Sequence, residues 1–452
     1  MAKNMTEGNS LKLILSFAAP LLIGNLLQQT YNLADAAIVG KYLGAKALAA
    51  VGASTSVQFM TLGFCIGICC GFAIPVAQKF GAGDYKEMRK SIFHGIVLTI
   101  LFGIVLTLAC TLLCSPILHM MQTSKNIFHN AYIYLLIIFL GIPFNLLYNF
   151  LASILRAVGD SKTPFNFLMV STFLNILLDI VCIIIFKWGC AGAAIATVTS
   201  QAVSGFLCLM YIIKKYDMLK IQPDERKWDG KYGGKIALLG IPMGLQYSIT
   251  AIGTMVMQSA NNGLGDLYTS AFAAGSRIKQ FAMCPFDAVA TGVSTFASQN
   301  YGAGKYDRIK KGIKQGMAIG VIYGVFIGII LIFFGRSLSL LFLSSKEVAV
   351  LDATGKYLKC VGFFYWSLGI LNTCRMTTQG LGYSGRAIFS GVVEMIARFI
   401  VCFGFVPVYK FSAICFSDQT AWVTAAIYSY FTCMYCVRKI IRENETDITT
   451  TG

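Results

Sequence analysis

The stretch Gln78-Lys-Phe-Gly-Ala-Gly-Asp-Tyr-Lys-Glu-Met-Arg-Lys90 returns 221 residues later as Gln299-Asn-Tyr-Gly-Ala-Gly-Lys-Tyr-Asp-Arg-Ile-Lys-Lys311, with six of thirteen positions identical. Composition alone gives about one such match. Neighbouring segments repeat at nearly the same shift. Ala19-Pro20 matches Ile241-Pro242, Ala49-Ala50-Val51 matches Ser270-Ala271-Phe272, and the segment around Arg156 matches that around Gln379. The chain is therefore two copies of one plan. Each Gly-Ala-Gly ends an apolar run and precedes a Lys/Arg cluster, as expected where a helix stops at a charged membrane surface. It lacks the preceding strand and the Lys-Ser/Thr of a phosphate-binding loop.

Working outward, the apolar runs define the fold class. Of the 452 residues 56% are apolar and 13% charged, about half the charged share of a soluble domain. A membrane-spanning helix takes about 20 apolar residues. Hydropathy with loop punctuation predicts twelve: 13–40, 47–79, 90–114, 131–156, 165–187, 190–213, 236–261, 267–300, 312–335, 354–378, 387–409 and 416–437. The first runs too long for the core of a secretory signal and has a counterpart in the second half, so it is read as structure. The expected fold is an all-α integral membrane protein of two six-helix lobes. An even helix count per half makes the repeats parallel, related by a pseudo-twofold axis along the membrane normal. The expected partition is an N-lobe of 1–213, a cytoplasmic linker of 214–235, a C-lobe of 236–440 and a disordered cytoplasmic tail of 441–452.

Charge sets the orientation. Net charge is +17, which in a soluble chain would suggest nucleic acid. Here 24 of the 37 Lys and Arg lie in the termini and alternate loops, nine in the opposite loops and four inside spans. That bias places both termini in the cytoplasm. The fifteen cysteines lie mostly in apolar runs, and only three histidines occur, so neither a metal centre nor a redox cofactor is expected. No nucleic acid partner is expected either.

Charge inside hydrocarbon is costly and usually functional or paired. Four acids stand out within spans: Asp35, Asp179, Asp287 and Glu394. Gln28, Tyr31, Asn32 and Asp35 follow i, i+3, i+4, i+7 spacing and share a face of helix 1. Asp35 lies 22 residues past Leu13, about 33 Å along the helix and so in the outer half of the bilayer. Helix 5 carries Ser171, Asn175 and Asp179 on one face, and helix 6 carries Thr197, Gln201 and Ser204. Three polar stripes suggest a hydrated chamber in the first half, with Asp35, Asp179 and Asn175 as cation-coupling residues. Tyr31, Asn32, Gln28, Thr197 and Gln201 are then the substrate-facing ones. The alternative is that these groups join helices to one another. Helix 7 shows a stripe without acids: Tyr247, Thr250, Thr254, Gln258 and Asn261. Asp287 follows Arg277 and Lys279 on helix 8, and Glu394 and Arg398 are spaced to pair on helix 11. Pro20 precedes the Asp35 stripe and allows helix 1 to bend, either as a moving part or as a fixed kink.

With these residues in view, the chain resembles the multidrug and toxic compound extrusion (MATE) family, particularly its DinF-like branch, from about Leu13 to Arg438. The resemblance rests on the Ala-Pro of helix 1, Asp35 followed by Ile-Val-Gly-Lys-Tyr-Leu-Gly, the two Gln-x-x-Gly-Ala-Gly turns, Leu155-Arg-Ala-Val-Gly-Asp-Ser-Lys-Thr-Pro164, and Asn175 with Asp179. It implies an antiporter of the bacterial cytoplasmic membrane that exports cationic, lipophilic drugs or metabolites in exchange for protons or sodium. It also implies that Tyr31, Asp35, Asn175, Asp179 and Thr197 line an N-lobe cavity, with the two aspartates linked to protonation and bending of helix 1. Helices 7 and 10 lack the acids of the NorM-like C-lobe cation site. Expected partners are the cargo and the bilayer, with the monomer as working unit and no cofactor beyond the coupling ion. A flippase for an amphiphilic substrate, held by Arg277, Lys279 and Arg375, is the competing transport reading. A membrane enzyme finds no Ser/His/Asp set or soluble domain to support it.

Overall fold

The computed structural model describes residues 2–121 and 123–451, and those are helical with short turns. Twelve rods follow in order. α1 is Ser10–Leu43, α2 is Ala45–Phe72 continued by Ile74–Gly81, and α3 is Tyr85–Met120. α4 is Lys125–Leu140 with Ile142–Ala157, α5 is Lys162–Asp179 with a wide π turn over Ile180–Ile185, and α6 is Gly189–Lys215. The second half gives α7 Gly230–Asn262, α8 Asp266–Gly302, α9 Tyr306–Ser339 and α10 Val348–Phe364 with Trp366–Gly380. α11 is Ser384–Phe399 with a π turn over Ile400–Phe405 and Val406–Tyr409, and α12 is Phe411–Thr451.

The breaks have local causes. Pro143, just after the joint at Gly141, lacks an N–H, and the two parts of α4 meet at 46°. Both Gly-Ala-Gly turns end on a glycine in the left-handed region, Gly83 at φ 74° and Gly304 at φ 69°, a conformation that other side chains resist. Asp84 then caps α3 by accepting from the Glu87 N–H. The π turns begin at Ile180 and Ile400, close to the repeat shift. The duplication is thus preserved down to single turns.

Among the described residues eight helices are long and apolar enough to cross a bilayer, or nine with the bent α4. α8, α10 and α12 fall short because they carry polar and charged side chains into the protein, Lys279, Asp287, Arg375 and Asp418 among them. On α3 only 17% of the apolar stretch is buried in protein, and Leu112 is 77% exposed. Such a surface is stable only against lipid.

Contacts divide the chain into two compact units: Met1–Asn4 with Ile23–Gly244, and Met5–Leu22 with Leu245–Gly452. The division falls inside α1 and α7, just past Pro20 and Pro242, and not in the 214–235 connector. Unit 1 is centred on Ile68, Phe72, Phe139, Phe150 and Leu155. Unit 2 is centred on Phe272, Tyr357, Tyr365, Leu368 and Trp422. α12 runs on past residue 440, where a disordered tail was expected. Ile440 is buried, and the Tyr306 hydroxyl donates to Asn444 Oδ1 at 3.4 Å. Gly452 lies outside the described residues.

Unit 2 contains a stripe set by spacing alone: Gly312, Gly316, Gly320, Gly324 and Gly328, one face of α9. A Cβ on Gly320 would stand 2.6 Å from Gly369 Cα, and one on Gly324 2.5 Å from Trp366 Cα. α9 and α10 therefore meet backbone to backbone, the close contact that replaces hydrophobic driving force between helices in lipid. Gly320→Val should lower the melting temperature of the purified protein, since overpacking costs about 1–3 kcal/mol. Gly385→Ala, where a Cβ meets nothing within 4 Å, should not. Equal melting of the two variants would contradict this packing.

Candidate functional site

The site forms within unit 1 from α1, α5 and α6, closed by α2 and α4. α1 has two exposed faces. Ile23, Thr30, Ala37 and Lys41 are exposed on one side, the direction of lipid. Gln28 and Asn32 are exposed too, but at about 100° per residue they lie nearly opposite that side. Tyr31 and Asp35, half-buried, sit between Gln28 and the protein interior. Asp35 thus turns away from lipid.

α5 presents Asn175 and Asp179, both buried, with Asp179 fully so. Asp179 is the last α-helical residue before the π turn, a local unwinding common at functional positions. Its carboxyl lies against that of Asp35. Asn175 Nδ2 donates to Thr197 Oγ1 of α6 at 3.4 Å, and the Thr197 hydroxyl donates to Ala193 O. Asn175 lies one turn before Asp179 on the same face of α5. Asp35 Oδ1, Asn175 Oδ1 and both oxygens of Asp179 are buried without a hydrogen-bond partner. Among the described residues no Lys or Arg forms an ion pair with either aspartate. Four unanswered acceptor oxygens in one place are unusual, since each orphaned buried group costs about 1–3 kcal/mol. The arrangement is suited to take up a proton or a cation.

Tyr134 of α4 and Gln58 of α2 escaped the sequence reading. Tyr134 and Tyr31, the latter already on the α1 stripe, both border the carboxyl pair, and Gln58 lies beside Tyr134. Ser54, Gln58 and Thr61 on α2 follow helical spacing, a signal that could have found Gln58; Tyr134 is lost among aromatic residues. Gln201 goes elsewhere. Its Oε1 accepts from Asn145 Nδ2 at 3.4 Å, and Asn145 in turn accepts from Asn149. It belongs to a separate polar joint between α4 and α6.

Unit 2 treats its charges differently. Asn372 Nδ2 donates to Asp287 Oδ1 at 3.0 Å, and Arg375 donates to Asn372 Oδ1 at 2.7 Å. Arg375 pairs with Glu394 at 2.7 Å, Glu394 with Arg398 at 3.5 Å, and Arg398 with Asp418 at 3.2 Å. Lys279 closes the chain on Asp418, which also accepts from Tyr357 at 3.1 Å. Three acids thus meet three bases across α8, α10, α11 and α12. Asp418, a fifth acid within a span, was overlooked beside the four singled out. Asp287 bonds Asn372 across helices, and Lys279, two turns before it, serves Asp418. Arg398→Met should destabilise the fold by about 3–5 kcal/mol, because Glu394 and Asp418 would lose a buried partner. A melting temperature unchanged from the parent would contradict a structural network.

An all-helical chain that turns apolar rods to lipid, closes one lobe with paired charges and leaves acceptor oxygens unanswered in the other has the build of a multi-pass membrane transporter. Comparison with known proteins gives the family: the MatE model matches residues 20–181 and 242–404, and the chain belongs to that family of multidrug efflux transporters. It is not an enzyme. It is 35% identical over 369 residues to "Probable multidrug resistance protein YpnP" of Bacillus subtilis, covering 82% of each chain. It is 25% identical over 374 residues to a "FAD transporter" of Shewanella oneidensis, covering 80% of each. A solved structure described as "Outward-facing conformation of a multidrug resistance MATE family transporter of the MOP superfamily" superposes with a TM-score of 0.89 at 19% identity, covering 96% of this chain and 98% of the other. That likeness supports the two-lobed, twelve-helix fold.

Proposed function

We propose that this transporter exports cationic lipophilic compounds across a bacterial plasma membrane in exchange for protons, as a monomer with both termini in the cytoplasm. The observation that carries the reading is the acceptor cluster of Asp35, Asn175 and Asp179, with buried oxygens that no donor answers. Two carboxyls in contact and without a base hold either a proton between them or a cation against them. A lipophilic cation satisfies the same oxygens as a proton and finds Tyr31 and Tyr134 beside them, aromatic faces that attract cations. The two occupants therefore compete. A proton arriving from outside releases the cargo, and loss of that proton inside restores the site. Gln28 and Asn32 serve as contacts for cargo, and Thr197 as the group that orients Asn175.

The stoichiometry follows from charge. One proton for one monovalent cation moves no net charge and draws on the pH gradient alone. Two protons, one for each carboxyl, move one charge inward, and the membrane potential then contributes ~2.3 kcal/mol per 100 mV.

The flippase reading needs free cations for a phosphate. Lys279 and Arg375 are both held in ion pairs, which leaves Arg277 alone among the three candidates.

Efflux of a fluorescent cation from proteoliposomes tests the proposal, with a pH gradient and a sodium gradient applied separately. Asp35→Asn and Asp179→Asn should each abolish pH-driven efflux while inserting at the parent's yield. Parent-level export by either variant would rule the scheme out, and efflux driven by sodium alone would replace the proton as coupling ion.

A further inference from the structure

The connector between the halves covers a pocket that the transport cycle does not use. After α6 it forms two short 3-10 turns, Asp217–Leu219 and Pro223–Glu225, and α7 starts at Gly230. It is fastened to α3 at several points. Arg89 grips Glu225 at 2.7 Å, and the guanidinium holds that carboxyl below the usual glutamate range. The Asp229 N–H donates to His94 Nε2 at 2.9 Å, Trp228 stacks on the His94 ring, and the Ser91 and Tyr232 hydroxyls share a 2.7 Å bond.

Under this fixed strap lies a cavity of about 610 Å³, bounded by α3, α4, α6 and the connector. That volume is typical of a ligand site. Ile96, Ile154 and Leu209 are among its aliphatic walls, while Lys220 and Arg226 contribute the basic groups. Lys220 pairs with the exposed Asp217, and Arg226 has no partner among the described residues. On α6, Phe206, Met210 and Ile213, which flank Leu209, are exposed apolar side chains, so the wall continues into the lipid-facing surface. Half-exposed Trp228 is the kind of ring that settles at the headgroup level. Over 214–235 seven basic residues meet four acids.

We propose that this pocket binds an anionic phospholipid, its acyl chain against α3, α4 and α6 and its phosphate at Lys220 and Arg226. The charge fits an anionic leaflet, and the apolar continuity with the outer face of α6 fits a ligand that arrives from within the bilayer. The bound lipid fills the space beneath the connector and ties the strap to the membrane surface.

The test is native mass spectrometry of the full chain released from nanodiscs of phosphatidylglycerol or phosphatidylcholine. The parent should retain phosphatidylglycerol in preference to phosphatidylcholine. Each basic residue near an anionic surface contributes roughly a five-fold factor, so Lys220→Gln with Arg226→Gln should weaken that retention roughly 25-fold. Leu209→Trp, which fills the pocket, should reduce retention while the melting temperature shows that the fold survives. Glycerol phosphate without acyl chains should not displace the lipid. Equal retention of both lipids by the parent, undiminished retention by the double variant, or displacement by glycerol phosphate would each overturn the proposal.

Discussion

A charge carried into hydrocarbon must be answered, either by another group of the protein or by something that comes and goes. The two lobes answer it in opposite ways. In unit 2, Lys279, Arg375 and Arg398 meet Asp287, Glu394 and Asp418 through direct pairs and the Asn372 bridge. Each of these six charged groups has a partner, direct or through Asn372. In unit 1, Asp35 and Asp179 face each other without a base among the described residues, and the Asn175 oxygen on the same face of α5 is a further acceptor without a donor. What the pair lacks is a base, and on the proposed reading a proton or a cation takes that place for part of the cycle. The exchange we propose rests on that imbalance.

The duplication explains how one plan accommodates both. The turns ending at Gly83 and Gly304, the prolines at 20 and 242 and the π turns after residues 179 and 399 are common to the halves. The side chains at these places have diverged: the residue before the π turn is Asp179 in one copy and Phe399 in the other. Backbone devices that break or bend helices are retained, and the groups that bear charge are redistributed. α1 and α7, each with a proline, each contribute to both compact units.

The twelve rods were legible because a bilayer imposes a length and an apolar composition that single residues rarely disturb. The Asp35 stripe was legible for a related reason, that polar side chains at helical spacing in an apolar run must share a face. Periodicity gives the face but not the neighbour, which is why Gln201 was grouped with Thr197 although Asn145 claims it. Asp418 was missed because it falls near the start of α12, beside Ser417, where charge is expected at a membrane boundary. Tyr134 was hidden by abundance, one of 21 tyrosines in a chain with 33 phenylalanines. The glycine stripe of α9 was visible in the spacing and went unread, since a row of absent side chains has meaning only once the partner backbone is known. The division inside α1 and α7 depends on contacts distant in sequence, and no local pattern carries it.

The central claim is that cargo and proton occupy the same oxygens. The most direct measurement is proton release when a lipophilic cation binds the detergent-solubilised protein, followed with a pH indicator in weak buffer. About one proton should leave for each cation bound, and none from a chain carrying both Asp35→Asn and Asp179→Asn. Binding of the cation at full stoichiometry with no proton released from the parent would contradict the account.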